Sequence, residues 1–306
     1  MSSERIINFM GQSKLAIGIS ALLLIASIVS LALQGLNFGL DFTGGTSIEL
    51  AYEAPADLGE IRGKLAEAGY DGAVIKYFGS ETSVLISLQE SGGTELGNKI
   101  ADILRADGKT SVEIARVDYV GPQVGAELRD RGGLGMILAL AAVMLYVSMR
   151  FQFKFSVGAV LALVHDVIVV LGLFSLFQWD FDLTVLAAIM AVIGYSINDT
   201  IVIFDRIREN FRMMRKSTPF EVINASITQT MGRTLVTSLT TALVLVALFY
   251  FGGALIHGFA TALLIGVIVG TYSSVYVASA ILVMLDVTKE DLMPPVKEGE
   301  GFDSLP

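Results

Sequence analysis

The chain has 306 residues, of which 53% are hydrophobic, and it carries a net charge of −9 with no cysteine. Its apolar residues form blocks long enough to cross a bilayer, which excludes an ordinary soluble domain. The lack of cysteine excludes disulfides and thiolate metal sites, and two histidines alone disfavour any other metal site. We therefore expect a membrane protein without metal or cofactor, and the acidic charge gives no indication of nucleic-acid binding.

Six apolar segments are predicted to be transmembrane helices. Each is near the roughly 20 residues that a helix needs to cross about 30 Å of hydrocarbon, and lipid requires the backbone to hydrogen-bond internally. No convincing small-residue cleavage site follows the first segment, so we expect a retained helix and not a removed signal peptide. The segments are 15–33, 134–149, 155–177, 183–204, 234–251 and 259–285.

The distribution of basic residues predicts the orientation. They precede the first segment and lie between the second and third and between the fourth and fifth, whereas the loops at 178–182 and 252–258 carry none. By the positive-inside rule, both termini are expected in the cytoplasm and the long gap after the first segment outside it. The basic residues are Arg5, Lys14, Arg150, Lys154, Arg206, Arg208, Arg212, Arg215 and Lys216.

This topology divides the chain into four parts. We expect a cytoplasmic N-terminus with the first transmembrane helix at 1–34, an outward domain at 35–132, helices two to six at 133–287 and a cytoplasmic tail at 288–306. Within the outward domain the hydrophobic period alternates between that of strands and that of helices. The predicted elements are strands at 46–52, 73–78, 83–88 and 111–120 and helices at 58–68, 96–104 and 123–131.

The order of these elements defines the expected fold of the outward domain. A β-α-β-β-α-β order is the ferredoxin-like, or split βαβ, arrangement of an α+β domain, and a generic α+β domain is the alternative. The domain shows no nucleophile–base pair, and its paired glycines lack phosphate-loop spacing. We therefore expect a binding or mechanical role, and no enzyme.

Asp199 is the most informative residue because it lies about 16 residues, or roughly 24 Å, into the fourth segment. A carboxylate at such a depth costs on the order of 2.5–3.5 kcal/mol, so it is expected to face a bundle interior. Desolvation and a neighbouring cation affect a carboxyl group in opposite directions, and a group under both influences can exchange a proton near neutral pH. Asn198 and Thr200 flank it. A proton relay, a polar contact between helices and a hydrated group near the interface are the alternatives.

Arg233 opens the fifth segment. It is either an ordinary cytoplasmic anchor or a fixed counter-charge for Asp199, since an arginine does not release its proton. Thr237 belongs to a run of hydroxyl residues in the same segment, which can hydrogen-bond across helices or line a wet path.

His165 and Asp166 lie near the middle of the third segment. Adjacent residues on a helix do not face each other, so we expect these two side chains to point to different partners. A relay role and hydrogen bonding between helices are equally open for both.

Four motifs in this order resemble the SecD/SecF family. They are LNFGLDFTGGT at 36–46, with Gly39, Asp41, Gly44 and Gly45, then LVHDV at 163–167, GYSINDTIVIFDRIREN at 194–210 and TMGRTLVTSLTT at 230–241. The predicted topology is also similar, and a single outward domain of about 100 residues is more similar to the SecF members than to the SecD members.

The resemblance implies a protein-export function. It implies a fold of the resistance–nodulation–division superfamily, a place in the bacterial inner membrane, and a periplasmic location for the outward domain. It also implies pairing with SecD beside the SecYEG channel, with YajC and YidC as further candidate partners and exported unfolded polypeptides as cargo. The family's proton path carries over to Asp199 and Arg233, whereas His165 and Asp166 match a motif without a firm role.

Two other functions remain open at the level of sequence. One is half of a proton-coupled efflux transporter for small molecules, although such pumps usually have much larger outward domains. The other is a scaffold that stabilises the export channel without transporting protons.

Overall fold

The computed structural model describes residues 6–106, 111–214 and 216–288. Arg5, Arg215 and almost all of the expected tail at 288–306 lie outside these ranges. Within them, six helices are long and apolar enough to cross a membrane. Hydropathy therefore predicts the number of spans correctly.

The first span leads into a short connecting segment. A 3₁₀ turn at Met10–Gln12 precedes helix α1 (Ser13–Leu33), which is followed by strand β1 (Asn37–Phe38) and the four-residue helix α2 (Leu40–Thr43). We call residues 37–45 the connector, because they join α1 to the domain that follows.

The α+β domain, residues 45–120, contains one four-stranded antiparallel sheet and two helices. The strands lie in the order β3-β4-β2-β5, and their apolar side chains pack under the helices around fully buried Ile48, Leu65 and Ile100. The elements in chain order are β2 (Gly45–Tyr52), α3 (Leu58–Glu67), β3 (Val74–Tyr77), β4 (Ser83–Leu88), α4 (Gly93–Arg105) and β5 (Val112–Val120).

Five further spans complete the described part of the chain. Between the second and third of these lies strand β6 (Asp180–Phe181), which pairs in parallel with β1. The sixth span is interrupted by a π-helical segment at Ser273–Ala278. The helices are α5 (Pro122–Arg150), α6 (Phe153–Phe177), α7 (Leu183–Met213), α8 (Pro219–Phe251), α9 (Ala254–Tyr272) and α10 (Ser279–Met284).

Three helices extend by nine or more residues beyond the apolar segments predicted from the sequence. α5 begins at Pro122, so the expected boundary at 132 falls inside a continuous helix. α7 continues past the apolar block to Met213, because Ile207 and Phe211 keep its buried face apolar. α8 begins at Pro219 with a Thr218/Glu221 capping box. A hydropathy window detects the membrane-crossing part of a helix and misses its amphipathic continuation.

α6 and α7 are the interior helices of the bundle. Of the most apolar 18 consecutive residues in each of these helices, 56% are buried. The corresponding share is 6% in α5 and 17% in α8. α9 approaches α7 closely at Gly266 and Gly270, where an added Cβ would lie 2.1 Å from Val192 Cγ2 and 3.0 Å from Ser196 Cβ. This Gly-x-x-x-Gly spacing lets two helix backbones pack tightly in lipid.

The connector is packed against the start of α5. Gly44 has a φ of +73°, and an added Cβ would lie 2.6 Å from Pro122 Cα. An added Cβ on Gly45, with a φ of +136°, would lie 2.3 Å from the Leu88 carbonyl oxygen. Both positions therefore need glycine for conformation and for space.

We predict that Gly44→Ala destabilises the protein more than Gly69→Ala. Gly69 has a φ of +88° with nothing within 4 Å of an added Cβ, so its substitution costs only the left-handed backbone strain, about 1–2 kcal/mol. Gly44→Ala adds an overpacking cost of about 1–3 kcal/mol. Thermal unfolding in detergent, followed by the fluorescence of Trp179, measures both variants. Equal losses would mean that the Gly44–Pro122 contact is not tight.

Candidate functional site

Asp199 lies on the buried side of α7. The residue is 3% exposed, and its Oδ2 atom has no hydrogen-bond partner among the residues that the structure describes. Ser238 and Arg233 of α8 interact electrostatically with the carboxyl group. Ser238 is itself joined to Thr271 of α9 (Oγ to Oγ1, 2.7 Å) and accepts a 3.3 Å bond from Tyr195 Oη. A chain of hydroxyl groups therefore borders a carboxyl group that retains a free oxygen.

Arg233 is exposed on α8. It does not donate to Asp199 Oδ2, since that oxygen has no partner, but its charge acts on the carboxyl group. The structure thus places Arg233 within electrostatic range of Asp199 without a hydrogen bond to the free oxygen.

Asp166 of α6 lies in a second buried cluster, and its side chain is fully buried. Its Oδ2 accepts from Ser196 Oγ of α7 at 2.5 Å and from Ser273 Oγ at 2.7 Å. Its Oδ1 lies 2.9 Å from Nδ1 of His165. One carboxyl group therefore joins the third, fourth and sixth spans, and both of its oxygens are occupied.

The expectation that His165 and Asp166 point to different partners is wrong. The two residues are about 100° apart around the helix, yet both fall on the buried side of α6, and the imidazole turns toward the carboxylate. Nε2 of His165 is buried and has no hydrogen-bond partner within the described part of the chain. The pair forms a single polar unit.

Of the other residues that the sequence predicted for the site, one lies among the buried polar side chains and two lie outside them. Thr200 Oγ1 lies 2.8 Å from Ser274 Oγ, inside the buried seam between α7 and the sixth span. Asn198 is exposed on the other side of α7. Thr237 bonds only to the carbonyl groups of Arg233 and Thr234 on its own helix. The structure therefore brings Thr200 to the site and leaves Asn198 and Thr237 outside it.

Sequence reasoning missed the hydroxyl residues that complete the site. Ser196 stands three residues before Asp199 and shares its face of the helix, which the spacing could have shown. The Ser273–Ser274 pair interrupts an apolar segment, and the π-helix begins there. Such π-segments occur frequently at functional sites. The missed residues are Tyr195, Ser196, Thr271, Ser273 and Ser274, whereas Ser238 belongs to the hydroxyl run that the sequence had indicated in the fifth segment.

The motif glycines and Asp41 lie apart from these clusters, in the connector. Gly39 N donates to Phe181 O at 2.9 Å, and Asp41 Oδ2 accepts from Leu183 N at 3.1 Å. The connector therefore binds the loop between α6 and α7. In the ranges that the structure describes, no group of three or more His, Cys, Asp or Glu residues is placed to hold a metal ion.

Six apolar helices and a buried polar seam between them define a multi-pass helical membrane protein. Residues 99–288 match the sequence model of the family "Protein export membrane protein SecD/SecF, C-terminal", and residues 29–56 match the "SecD/SecF GG Motif". The chain belongs to the SecD/SecF family of protein-export membrane proteins.

Curated relatives are similar over nearly their whole length. The protein translocase subunit SecF of Pseudomonas aeruginosa is 54% identical over 290 residues, 94% of each chain. That of Vibrio alginolyticus is 51% identical and covers 100% of this chain and 99% of the relative. That of Escherichia coli O157:H7 is 44% identical over 98% of this chain and 94% of the relative.

Solved structures share the fold. The crystal structure of SecDF, a translocon-associated membrane protein from Thermus thermophilus, matches with a TM-score of 0.84 and 36% identity over 93% of this chain. A SecDF structure in the super-membrane-facing form matches with a TM-score of 0.70 over 92% of this chain. The chain spans 39% of each SecDF chain.

We predict that Asp166→Ala destabilises the protein far more than Asp199→Ala. The first variant leaves the buried Ser196 hydroxyl and His165 Nδ1 without this acceptor and removes one of the two acceptors of Ser273 Oγ, at a cost of about 3–5 kcal/mol. The second removes a carboxyl group with a free oxygen and is expected to cost about 1 kcal/mol. Unfolding by denaturant in detergent compares them. Similar losses would show that Asp166 is not a structural acceptor.

Proposed function

We propose that this protein is an auxiliary subunit of the Sec protein-export machinery, and that with SecD it couples proton flow to late steps of translocation. The observation that carries the proposal is the free Oδ2 of buried Asp199. A buried acceptor without a partner is costly, and proton binding would lower that cost. The names of the relatives and of the solved structures support the export role.

The predicted topology supports a location and an orientation of the chain in the membrane. We infer an inner-membrane protein with both termini in the cytoplasm, since the basic loops lie on that side. Residues 35–132 form the periplasmic part, and the β3-β4-β2-β5 order supports the ferredoxin-like class for its sheet. Residues 1–34, 133–287 and 288–306 are then the first helix with its N-terminus, the remaining helices and the cytoplasmic tail.

SecD is the proposed partner within the membrane. The SecDF chains contain a region similar to this chain and extend well beyond it, which supports a companion half. α5 and α8 are the least buried spans and offer apolar faces to such a companion. We also propose the SecYEG channel as a partner and exported unfolded polypeptides as cargo. YajC and YidC are further candidate partners.

The proposed step is a change in the charge of Asp199. Proton binding removes the carboxylate's negative charge and with it the attraction to Arg233. The helices then repack, and the periplasmic domain moves. Each proton that crosses a potential of 100 mV releases roughly 2.3 kcal/mol, so a few protons suffice to shift a two-state equilibrium of a few kcal/mol.

Asp166 is proposed to have a different role from Asp199. Both of its oxygens already accept hydrogen bonds from side chains of other helices or of its own. A group that relays protons needs an oxygen that an incoming donor can reach, whereas both oxygens of Asp166 are already occupied by neighbouring side chains. We therefore assign Asp166, with His165, to the fixed scaffold around which the helices repack.

We predict that Asp199→Asn abolishes the gradient-dependent part of export. The change keeps the shape of the side chain and removes its titration. Membrane vesicles that contain the protein, SecD and the channel are assayed with and without an imposed proton gradient. Export by the variant should equal that of vesicles without this chain.

Asp205→Asn is the matched control, because Asp205 lies on the same helix, is exposed and pairs with Arg150 at 3.0 Å. It should retain the gradient-dependent export. A silent Asp199→Asn combined with loss of export on deletion of the chain would favour the scaffold. Gradient-driven release of small molecules without any effect on export would favour the efflux transporter.

A further inference from the structure

The N-terminus of α7 is completed by two carboxylates from different parts of the chain. Asp182 is the local N-cap, and its Oδ1 accepts from Val185 N at 2.8 Å. The N–H group of Leu183, the first residue of the helix, donates to Oδ2 of Asp41, which lies 142 residues earlier. The first N–H groups of a helix have no partner within it, so each carboxylate satisfies a donor that would otherwise be free.

Three more contacts fix the connector to the loop that precedes α7. Asn37 and Phe38 pair with Asp180 and Phe181 in the parallel β1–β6 ladder. Gly39 N donates to the Phe181 carbonyl group, and the ring of Phe42 stacks on that of Phe181 with centroids 5.8 Å apart. These contacts therefore hold the connector against the loop that precedes α7 and against the first residue of that helix.

The other end of the connector is part of the α+β domain. β2, a central strand of its sheet, begins at Gly45, the last residue of the connector. Gly44 packs on Pro122 at the start of α5, and an added Cβ on Gly125 would lie 2.8 Å from Gly44 N. Movement of the connector would consequently move the sheet.

α7 extends from the connector to Asp199. The helix is continuous from Leu183 to Met213, and Asp199 lies about 24 Å from its start at 1.5 Å per residue. A packed helix transmits a small displacement along its axis, because packed elements change between discrete arrangements and do not deform continuously. The start of α7 is where such a displacement meets the connector.

We propose that Asp41 is the coupling residue that transmits a change at Asp199, through the N-terminus of α7, to the α+β domain. The inference rests on the proposed function, in which the charge of Asp199 changes. It assigns to Asp41 a positioning role that acts through the helix, and no contact with the proton itself.

Two variants each remove one partner of the hydrogen bond between Leu183 N and Asp41 Oδ2. Asp41→Ala removes the acceptor. Leu183→Pro removes the donor, and proline is well tolerated at the first position of a helix. Asp41→Asn keeps an acceptor oxygen and should keep the coupling. Asp182→Ala is the matched control, since it removes a cap of the same helix end and leaves the Asp41–Leu183 bond in place.

The readout is the distance between two spin labels in proteoliposomes of the whole chain with a cysteine-free SecD. Because the chain has no cysteine, labels can be placed at Glu81→Cys in the α+β domain and at Tyr250→Cys at the end of α8. Both positions are exposed, and a cleft of about 840 Å³ separates the domain from that helix end. Asp199→Asn serves as a stand-in for the protonated state.

We expect Asp199→Asn to shift the distance distribution in the parent, in Asp182→Ala and in Asp41→Asn. The shift should be lost in Asp41→Ala and in Leu183→Pro. Persistence of the shift in either of these two variants, or its loss in Asp182→Ala, would overturn the coupling role while leaving the proposed function intact. Absence of any shift in the parent would instead contradict the proposed function, and the inference would fall with it.

Discussion

A carboxyl group inside a bilayer is costly to bury, and the structure surrounds its two buried aspartates in opposite ways. Asp166 accepts hydrogen bonds on both oxygens from Ser196, Ser273 and His165. Asp199 keeps one oxygen free at the same degree of burial. Because an unsatisfied buried acceptor is costly, the free oxygen of Asp199 is the position at which we propose that a proton binds.

The rest of the bundle is arranged around this difference. The glycines of α9 bring it against α7, so that the serines of the π-helical segment reach Asp166 and Thr200. Polar contacts are thereby concentrated among α6, α7 and the sixth span, where a change in one charge can alter the packing of several helices at once.

The sequence predicts the coarse fold because hydropathy and the strand period are local signals. The six spans and the alternation of Thr46 to Tyr52 required no knowledge of distant contacts. The sequence also singled out Asp199, since a charge in an apolar block is conspicuous. Serines are not conspicuous, so Ser196 and Ser273 were missed, although both donate to Asp166. The contact between Asp41 and Leu183 joins residues 142 positions apart and leaves no local trace in the sequence.

The proposed function requires that Asp199 changes its protonation state under working conditions. Infrared difference spectroscopy of the protein with SecD in lipid, recorded as the pH is stepped across the neutral range, measures this directly through the C=O stretch of a protonated carboxyl group. We predict a band that appears as the pH falls and is absent in Asp199→Asn. A spectrum in which no such band changes between the parent and Asp199→Asn at any pH would contradict it.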